Sequence, residues 1–477
     1  METARNQIHV GLEIGTSKIT VCVSEEMRDG ALRILGIGEA PSRGVRKGEI
    51  VDPVAAAECI RMAITKAEAS IGIEIEKVSV AISGSHLKSF TSNAELIVRK
   101  DQFEKNPWKY LDAVIAMARQ VTLPSDQLLL QAIDGSNSGG DFCSERDYEG
   151  FHEVGSCEPN ELSDNQKSSI GADCHIIHGK RSHIQRTLDC LESLQLEIVN
   201  LVPSSLAFDT GPIPERKMPP TYLVIDLGGG TSDYIKIWAH IILNSGALAV
   251  GGDHITNDIS IGLRLPIAQA ECLKIQEGSA KISDQSVRET FILKGDQGIP
   301  DYEIDRMSLD AIILLRVREL FEQIRDETFN YDINNIEEGD IDRVTEVVLT
   351  GGVSALQGIA ELAAQVFKVP AKLGHACNVS GSKKIIKNPA YTTAIGITKF
   401  AMEATPTSSV PCERTNRIIE EPKLPKEFRS NDEYLSALRR ERDSGKNLSR
   451  EGSEDLDVPT YLRKGTDGME IKHAKKL

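Results

Sequence analysis

Tyr222-Leu223-Val224-Ile225-Asp226-Leu227-Gly228-Gly229-Gly230-Thr231-Ser232-Asp233-Tyr234-Ile235 is the stretch on which the fold turns. Its apolar start, Tyr222 to Ile225, reads as a buried strand that delivers the Asp226 carboxylate to its end. Gly228, Gly229 and Gly230 follow, and glycine tolerates φ > 0, so successive N–H groups can turn inward and form an anion-binding concavity. Thr231 and Asp233 come next, and apolar alternation resumes with Ile235 and Ile237. The pattern suits a polyphosphate with its Mg²⁺, but a glycine triplet between strands is also what an ordinary hairpin turn uses. Recurrence of the pattern decides between them.

It recurs near the N-terminus. Ile8, Val10 and Leu12 alternate, then Ile19, Val21 and Val23, and between them lies Gly15-Thr16-Ser17-Lys18 after an acid, Glu13. This is not a P-loop, because the GxxxxGK[ST] spacing is absent. A third strand, Val347 to Leu349, ends in Thr350-Gly351-Gly352-Val353-Ser354, with a helix predicted over 355–367. Between these come a helix after Asp52-Pro53, with Ala57, Ile60, Ile64 and Ala67 on one face and Gly72 at its end, and a strand, Val78 to Ile82. Leu111 to Val121 predicts a helix, and 133–169 has no period and is rich in Gly, Ser, Asp, Glu and Asn. Gly251-Gly252-Asp253 precedes another helix, Leu309 to Thr328 a long one, and Ala394 to Met402 a last helix with Gly396 inside it. Gly396 there implies close packing or a hinge, since glycine costs about 1 kcal/mol against alanine in a helix.

Composition bounds the class. The 477 residues have room for two or three cores, and 40% hydrophobic content with no apolar run of membrane-spanning length predicts a cytoplasmic globular protein. A formal charge of −16 argues against a general nucleic-acid binder. The nine cysteines contain no CxxC pair and read as reduced thiols. His254 and the other histidines read as core or surface residues rather than ligands.

Three strand-end glycine turns in this order resemble the actin/Hsp70/sugar-kinase superfamily, with Gly11 to Lys18 and Asp226 to Asp233 as phosphate loops and Leu349 to Ser354 as the adenosine loop. Within it, Val10 to Lys18, Arg46 to Val51, Val78 to His86, Gly251 to Asp258, Arg316 to Glu322 and Leu349 to Ser354 are similar to the FtsA family, over about 8–402. The resemblance implies an α/β, actin-like two-lobed duplicated fold with RNase H-like halves and a disordered C-terminal tail. Subdomain 1A would span 1–83, 180–215 and the helix 389–402; the family's 1C insertion 84–179; 2A 216–265 and 343–388; 2B 266–342; and the tail 403–477. It further implies ATP and Mg²⁺ as cofactors and polymerisation. Partners would be FtsZ, other copies of the chain, further divisome proteins and the inner face of the cell membrane at the division site.

By the same resemblance Gly15, Thr16, Ser17, Lys18, Gly228, Gly229, Gly230 and Thr231 would meet phosphates, and Gly252, Gly351, Gly352 and Ser354 the nucleoside. Asp226 and Glu13 would hold Mg²⁺ through water, and no residue is assigned as catalytic. Three departures stand out. Glu13 occupies a position where the superfamily usually has Asp, and Val202-Pro203 stands where related ATPases place a water-orienting acid or amide, so any ATPase activity would be slow. The third is the C-terminus: Gly468 to Leu477 carries Lys472, Lys475 and Lys476 but no apolar face, and Leu424 to Arg442 offers only a weak helix. In place of a membrane helix stands Glu454-Asp-Leu-Asp-Val-Pro-Thr-Tyr-Leu-Arg-Lys464, which resembles the C-terminal peptide of FtsZ. Leu456, Val458, Tyr461 and Leu462 form an apolar cluster, Pro459 stiffens the backbone, and Arg463 follows, the pattern of a short segment that orders on a groove. Such a tail could mimic the FtsZ peptide, on its own body or on a neighbour. The alternatives are an actin-fold small-molecule kinase and a pilus-type actin-like adaptor.

Overall fold

A computed structural model describes residues 7–99, 105, 107–134, 153–154, 167–208, 220–238, 241–283, 286, 289–293, 302–329, 343–403 and 456–463. The readings on Leu424 to Arg442, on the terminal lysines and on most of 133–169 fall outside these residues.

Two sheets repeat one plan. In the first, strands Ile8–Ile14, Lys18–Glu26 and Leu32–Pro41 form an antiparallel meander, and Lys77–Ile82 and Glu197–Pro203 add parallel strands beside Ile8–Ile14. In the second, Thr221–Leu227, Ser232–Trp238 and Ile241–Leu248 form the meander, and Val344–Thr350 and Ala371–Leu373 add in parallel beside Thr221–Leu227. In each half the meander's first strand is the one at which strand direction changes. Acids near its carboxyl end therefore sit at the crevice where ligands of open α/β sheets collect. Every residue of Thr221–Leu227 is buried, as befits a central strand covered on both faces.

Each half packs its own core. Helix Pro53–Ile71 presents Ala56, Cys59, Ile60, Ala63, Ile64 and Ala67 to the first sheet. The Asp52 carboxylate accepts from the Val54 and Ala55 N–H groups, and Gly72 closes the helix at φ 71°. Helices Gly252–Leu263, Arg306–Thr328 and Ile359–Phe367 cover the second sheet through Ile255, Ile259, Leu309, Val317, Phe321 and Phe367. The helix expected over 355–367 is shorter, because Gly352–Ala355 forms a 3-10 turn first and Gly358 sits at φ 77°. Helix Thr392–Glu403 returns to the first half, where a Cβ on Gly396 would overlap the Ala207 carbonyl; close packing explains this glycine.

The inserted stretch is a sheet of its own. Lys88–Arg99 pairs antiparallel with Lys167–Lys180 from Lys88↔His178 to Arg99↔Lys167, and Gln127–Asp134 pairs on the other edge. Helix Pro107–Arg119 lays Leu111, Val114 and Ala118 on one face. Among the described residues no helix is long and apolar enough to cross a membrane.

Candidate functional site

The strand ends of the two sheets face each other across a cleft of about 350 Å³. On each side the turn after the first strand closes identically: Gly15 N–H donates to Lys18 O at 3.1 Å, and Gly228 N–H to Thr231 O at 2.9 Å. The two turns touch through glycine. A Cβ on Gly229 would stand 2.9 Å from Ser17 Cβ, and one on Gly230 would run into Thr16 Oγ1. Gly351, at φ 84°, comes so close to Asp226 that a Cβ there would collide with Oδ1. Gly48 N–H donates to Thr16 Oγ1 at 3.0 Å, which brings Gly48 into the cleft wall.

Three carboxylates line the cleft together. Glu13 Oε2 is enclosed and has no hydrogen-bond partner; burial, reinforced by the Asp226 charge, pushes its pKa from 4.5 to about 8. Burial raises Asp226 to about 6, opposed by the Thr393 hydroxyl, which donates to its Oδ2 at 2.6 Å. Burial and the Asp226 charge also raise Asp233. Asp233 is fastened by Ser83 Oγ at 2.9 Å and Thr231 Oγ1 at 3.2 Å, so it closes its turn and links it to the strand end of the other half. Such a cluster is electrostatically costly alone and is relieved by a cation or by protons.

The cleft gathers Glu13, Gly15, Thr16, Ser17, Lys18, Asp226, Gly228, Gly229, Gly230, Thr231, Gly252, Gly351 and Gly352. Ser354 is not in the lining: its hydroxyl donates to Gly351 O at 2.6 Å, and Val353, Ala355 and Leu356 form the wall instead. Lys18 lies at the rim with its ammonium 3.0 Å from Glu39 and 4.1 Å above the Tyr391 ring. Sequence reading passed over Ser83, Asp253, Glu271, Lys274 and Thr393, all of which line the cleft. Lys274 is buried, its Nζ bonding Gly252 O, Thr256 Oγ1 and Glu271 Oε2 at 2.7–3.1 Å. Val202 is fully buried, and the neighbouring group at the cleft is Ser204, whose hydroxyl donates to Ile82 O.

A second site lies on the outer face of the second half. Within the stretch read as a flexible tail, residues 456–463 lie across helices Gly252–Leu263 and Arg306–Thr328, with a single helical turn at Thr460–Arg463. Buried Arg316 holds Asp258 through Nε and Nη2 at 2.7 and 2.9 Å, and aims Nη1 and Nη2 at the carbonyls of Leu456 and Val458 at 2.9 and 3.0 Å. Glu319 receives Thr460 Oγ1 at 2.6 Å and both Arg463 Nη groups at 2.7 Å. Tyr461 is buried against Gly262, its hydroxyl 3.4 Å from Asp258 O, and Pro459 is buried beside it. Val458 and Leu462, expected in the apolar contact, stay 41% and 49% exposed.

A sequence model described as "Cell division protein FtsA" matches residues 223–396. The chain is 29% identical over 394 residues to the cell division protein FtsA of Pseudomonas aeruginosa, covering 83% of this chain and 89% of the relative. It is 30% identical over 401 residues to that of Borreliella burgdorferi, covering 84% and 92%. Among solved structures it is similar in fold to a chain of a PilM-PilN type IV pilus biogenesis complex, at TM-score 0.51, 16% identity and coverage of 83% and 99%. Identity of 30% over 401 residues, reaching across 84% of this chain and 92% of that relative, leads to one conclusion: the chain belongs to the FtsA family of cell division proteins.

Proposed function

We propose that the cleft holds Mg²⁺-bound ATP and that the protein is a division adaptor, assembling with other copies in its ATP-bound state and linking FtsZ to the inner membrane face and to further divisome proteins. The observation that carries the nucleotide reading is the enclosed, unpartnered Glu13 Oε2 beside Asp226, facing two turns so close that no Cβ fits between them. Asp226 and Glu13 would hold the ion through water, which relaxes the octahedral distances that the longer Glu13 side chain would strain. The bound ion would supply charge neutralisation at the phosphates.

The chain's own residues do the rest. Backbone N–H groups of Thr16 to Lys18 and Gly229 to Thr231 would donate to anionic oxygens, while those of Gly15 and Gly228 close the turns. Gly252, Gly351 and Gly352 leave room for the nucleoside against Val353, Leu356 and Ile275. Thr393 orients Asp226, and Asp233 with Ser83 keeps the two halves in register. With valine and proline at 202–203 nothing there polarises a water, so ATP serves mainly as a conformational ligand. The FtsA family assignment supports the adaptor role, and the groove holding 456–463 is the surface best built for an FtsZ-type peptide.

Titration with a fluorescent ATP analogue, with and without Mg²⁺, tests the cleft. Saturable Mg²⁺-dependent binding, weakened at least tenfold by Asp226→Asn, is expected. Binding untouched by Asp226→Asn removes the assignment. ATP-dependent co-sedimentation with FtsZ and lipid vesicles tests the adaptor role.

A further inference from the structure

The groove on helices Gly252–Leu263 and Arg306–Thr328 is built for an extended backbone. Arg316 is 1% exposed, and after pairing with Asp258 and Glu319 its terminal N–H groups point at two carbonyls two residues apart. A buried guanidinium wants its donors filled, and a peptide chain supplies acceptors at this spacing. Beyond the backbone, the groove reads an aromatic ring at the Gly262 notch, a hydroxyl and a guanidinium on Glu319, and an acid ahead of the proline.

That acid, Asp457, does something the rest of the segment does not. It lies 2.9 Å from Lys47 Nζ, in the first half of the molecule, and 3.2 Å from His254 Nε2, in the second. His254 Nδ1 accepts the Gly251 N–H, which leaves the proton on Nε2 to be donated to Asp457. Both anchors adjoin the cleft wall: Lys47 precedes cleft-lining Gly48 and His254 follows cleft-lining Asp253, and a Cβ on Gly230 would stand 3.0 Å from Lys47 Cα. One carboxylate therefore spans the two halves at the edge of the nucleotide cleft.

We infer that segment 456–463 is an internal ligand that masks this groove, and that its Asp457 link to Lys47 and His254 ties masking to the relative position of the two halves. An incoming peptide of the same chemistry, acid–apolar–Pro–Thr–aromatic–Leu–Arg, must displace it. The inference rests on the reading of the groove as a partner site. The chain between Glu403 and Leu456, about 50 residues, spans far more than the body at about 3.3 Å per residue, so reach does not limit docking. With an effective concentration of about 1 mM, a segment of Kd about 0.1 mM would weaken a competitor roughly tenfold.

The test uses the full-length chain and a labelled synthetic peptide spanning Arg450–Gly465, read by anisotropy. The double variant Tyr461→Ala/Arg463→Ala, which frees the groove without altering it, should bind the peptide about tenfold more tightly than wild type. Lys47→Ala in the freed background should weaken peptide binding two- to fivefold, because the peptide carries the same acid, and Glu319→Ala there should abolish it. Equal affinity in wild type and the double variant overturns masking while leaving the groove as a peptide site. No binding to the double variant overturns the groove reading itself. Hydrogen exchange at Leu462 and Arg463 separates sources: protection that survives dilution from 50 to 0.5 μM (about 100-fold) supports docking within one chain. Protection lost on dilution overturns it in favour of exchange between copies.

Discussion

Replacing Glu13 by Gln should stabilise the nucleotide-free protein at alkaline pH and cost it the nucleotide. The carboxyl sits in a pocket that holds its pKa near 8 against 4.5 ordinarily, chiefly through burial and then through the Asp226 charge. Between those values the folded chain keeps a proton that the unfolded chain has released. The stability contributed is full below pH 4.5 and is lost as pH rises through about 8. That interval corresponds to at most about 5 kcal/mol, and because Asp226 and Asp233 titrate in the same range and share the repulsion, about 2–4 kcal/mol is expected. Glutamine keeps the shape and never ionises. Urea unfolding of wild type and Glu13→Gln at pH 5 and pH 8.5 measures the difference, titrations of groups remote from Glu13 cancelling between the two proteins. The variant's advantage should grow by at least 2 kcal/mol from the lower to the higher pH, while Mg²⁺-dependent nucleotide affinity falls at least tenfold. A stability difference that is the same at both pH values would refute the placement of Glu13 in a cation-seeking cluster.

Gly230→Ala should force the two phosphate-type turns apart, because its Cβ meets Thr16 Oγ1, and should lower nucleotide affinity at least tenfold in the same titration while the fold survives by circular dichroism. Gly396→Ala tests packing against propensity: helix preference alone predicts about 1 kcal/mol of gain, whereas overlap with the Ala207 carbonyl predicts a loss of about 1–3 kcal/mol, so the sign in urea unfolding decides. His175 is buried at the Ser245 hydroxyl, 2.8 Å away, and burial lowers its pKa from 6.5 to about 4. The folded state resists the proton that the unfolded chain takes up, so stability should fall as pH drops from 6.5 towards 4, and by less in His175→Asn, read by thermal unfolding across that window.

What was legible in the chain was what neighbours in sequence determine. Strand, acid and glycine turn lie within a dozen residues, so both phosphate-type turns and their acids were readable before any fold was known. The helix after Asp52-Pro53 carried its own cap, face and stop. Residues that tertiary folding imports were not readable. Thr393 reaches Asp226, and Ser83 reaches Asp233, from strand and helix ends far away in sequence. Lys274 sits in helix Ile267–Glu277, which the sequence did not single out, and its ammonium is buried. Ser354 was misplaced for a local reason: the 3-10 turn after Gly351 folds its hydroxyl back onto that residue's carbonyl. Most of the inserted sheet escaped because the start of Lys88–Arg99, Lys88 to Asn93, is polar apart from Phe90 and the first half of Lys167–Lys180 is rich in Ser, Gly and Ala.

The duplication sharpens the roles of the two acids. Glu13 and Asp226 occupy corresponding positions, each at the penultimate residue of the first strand of its meander. Equivalent positions would be expected to share equivalent surroundings, and they do not. Asp226 receives the Thr393 hydroxyl and so has one partner regardless of ligand, whereas Glu13 Oε2 has none, and its pKa is the higher of the two. A carboxylate satisfied within the fold keeps its geometry when the cleft empties. One left unsatisfied gains most when a cation arrives, and it must shed a proton to take part. Of the pair, Asp226 is thus the fixed reference and Glu13 the responsive member, which places the extra methylene of glutamate on the side of the cleft where adjustment is needed rather than where it would disturb a settled contact.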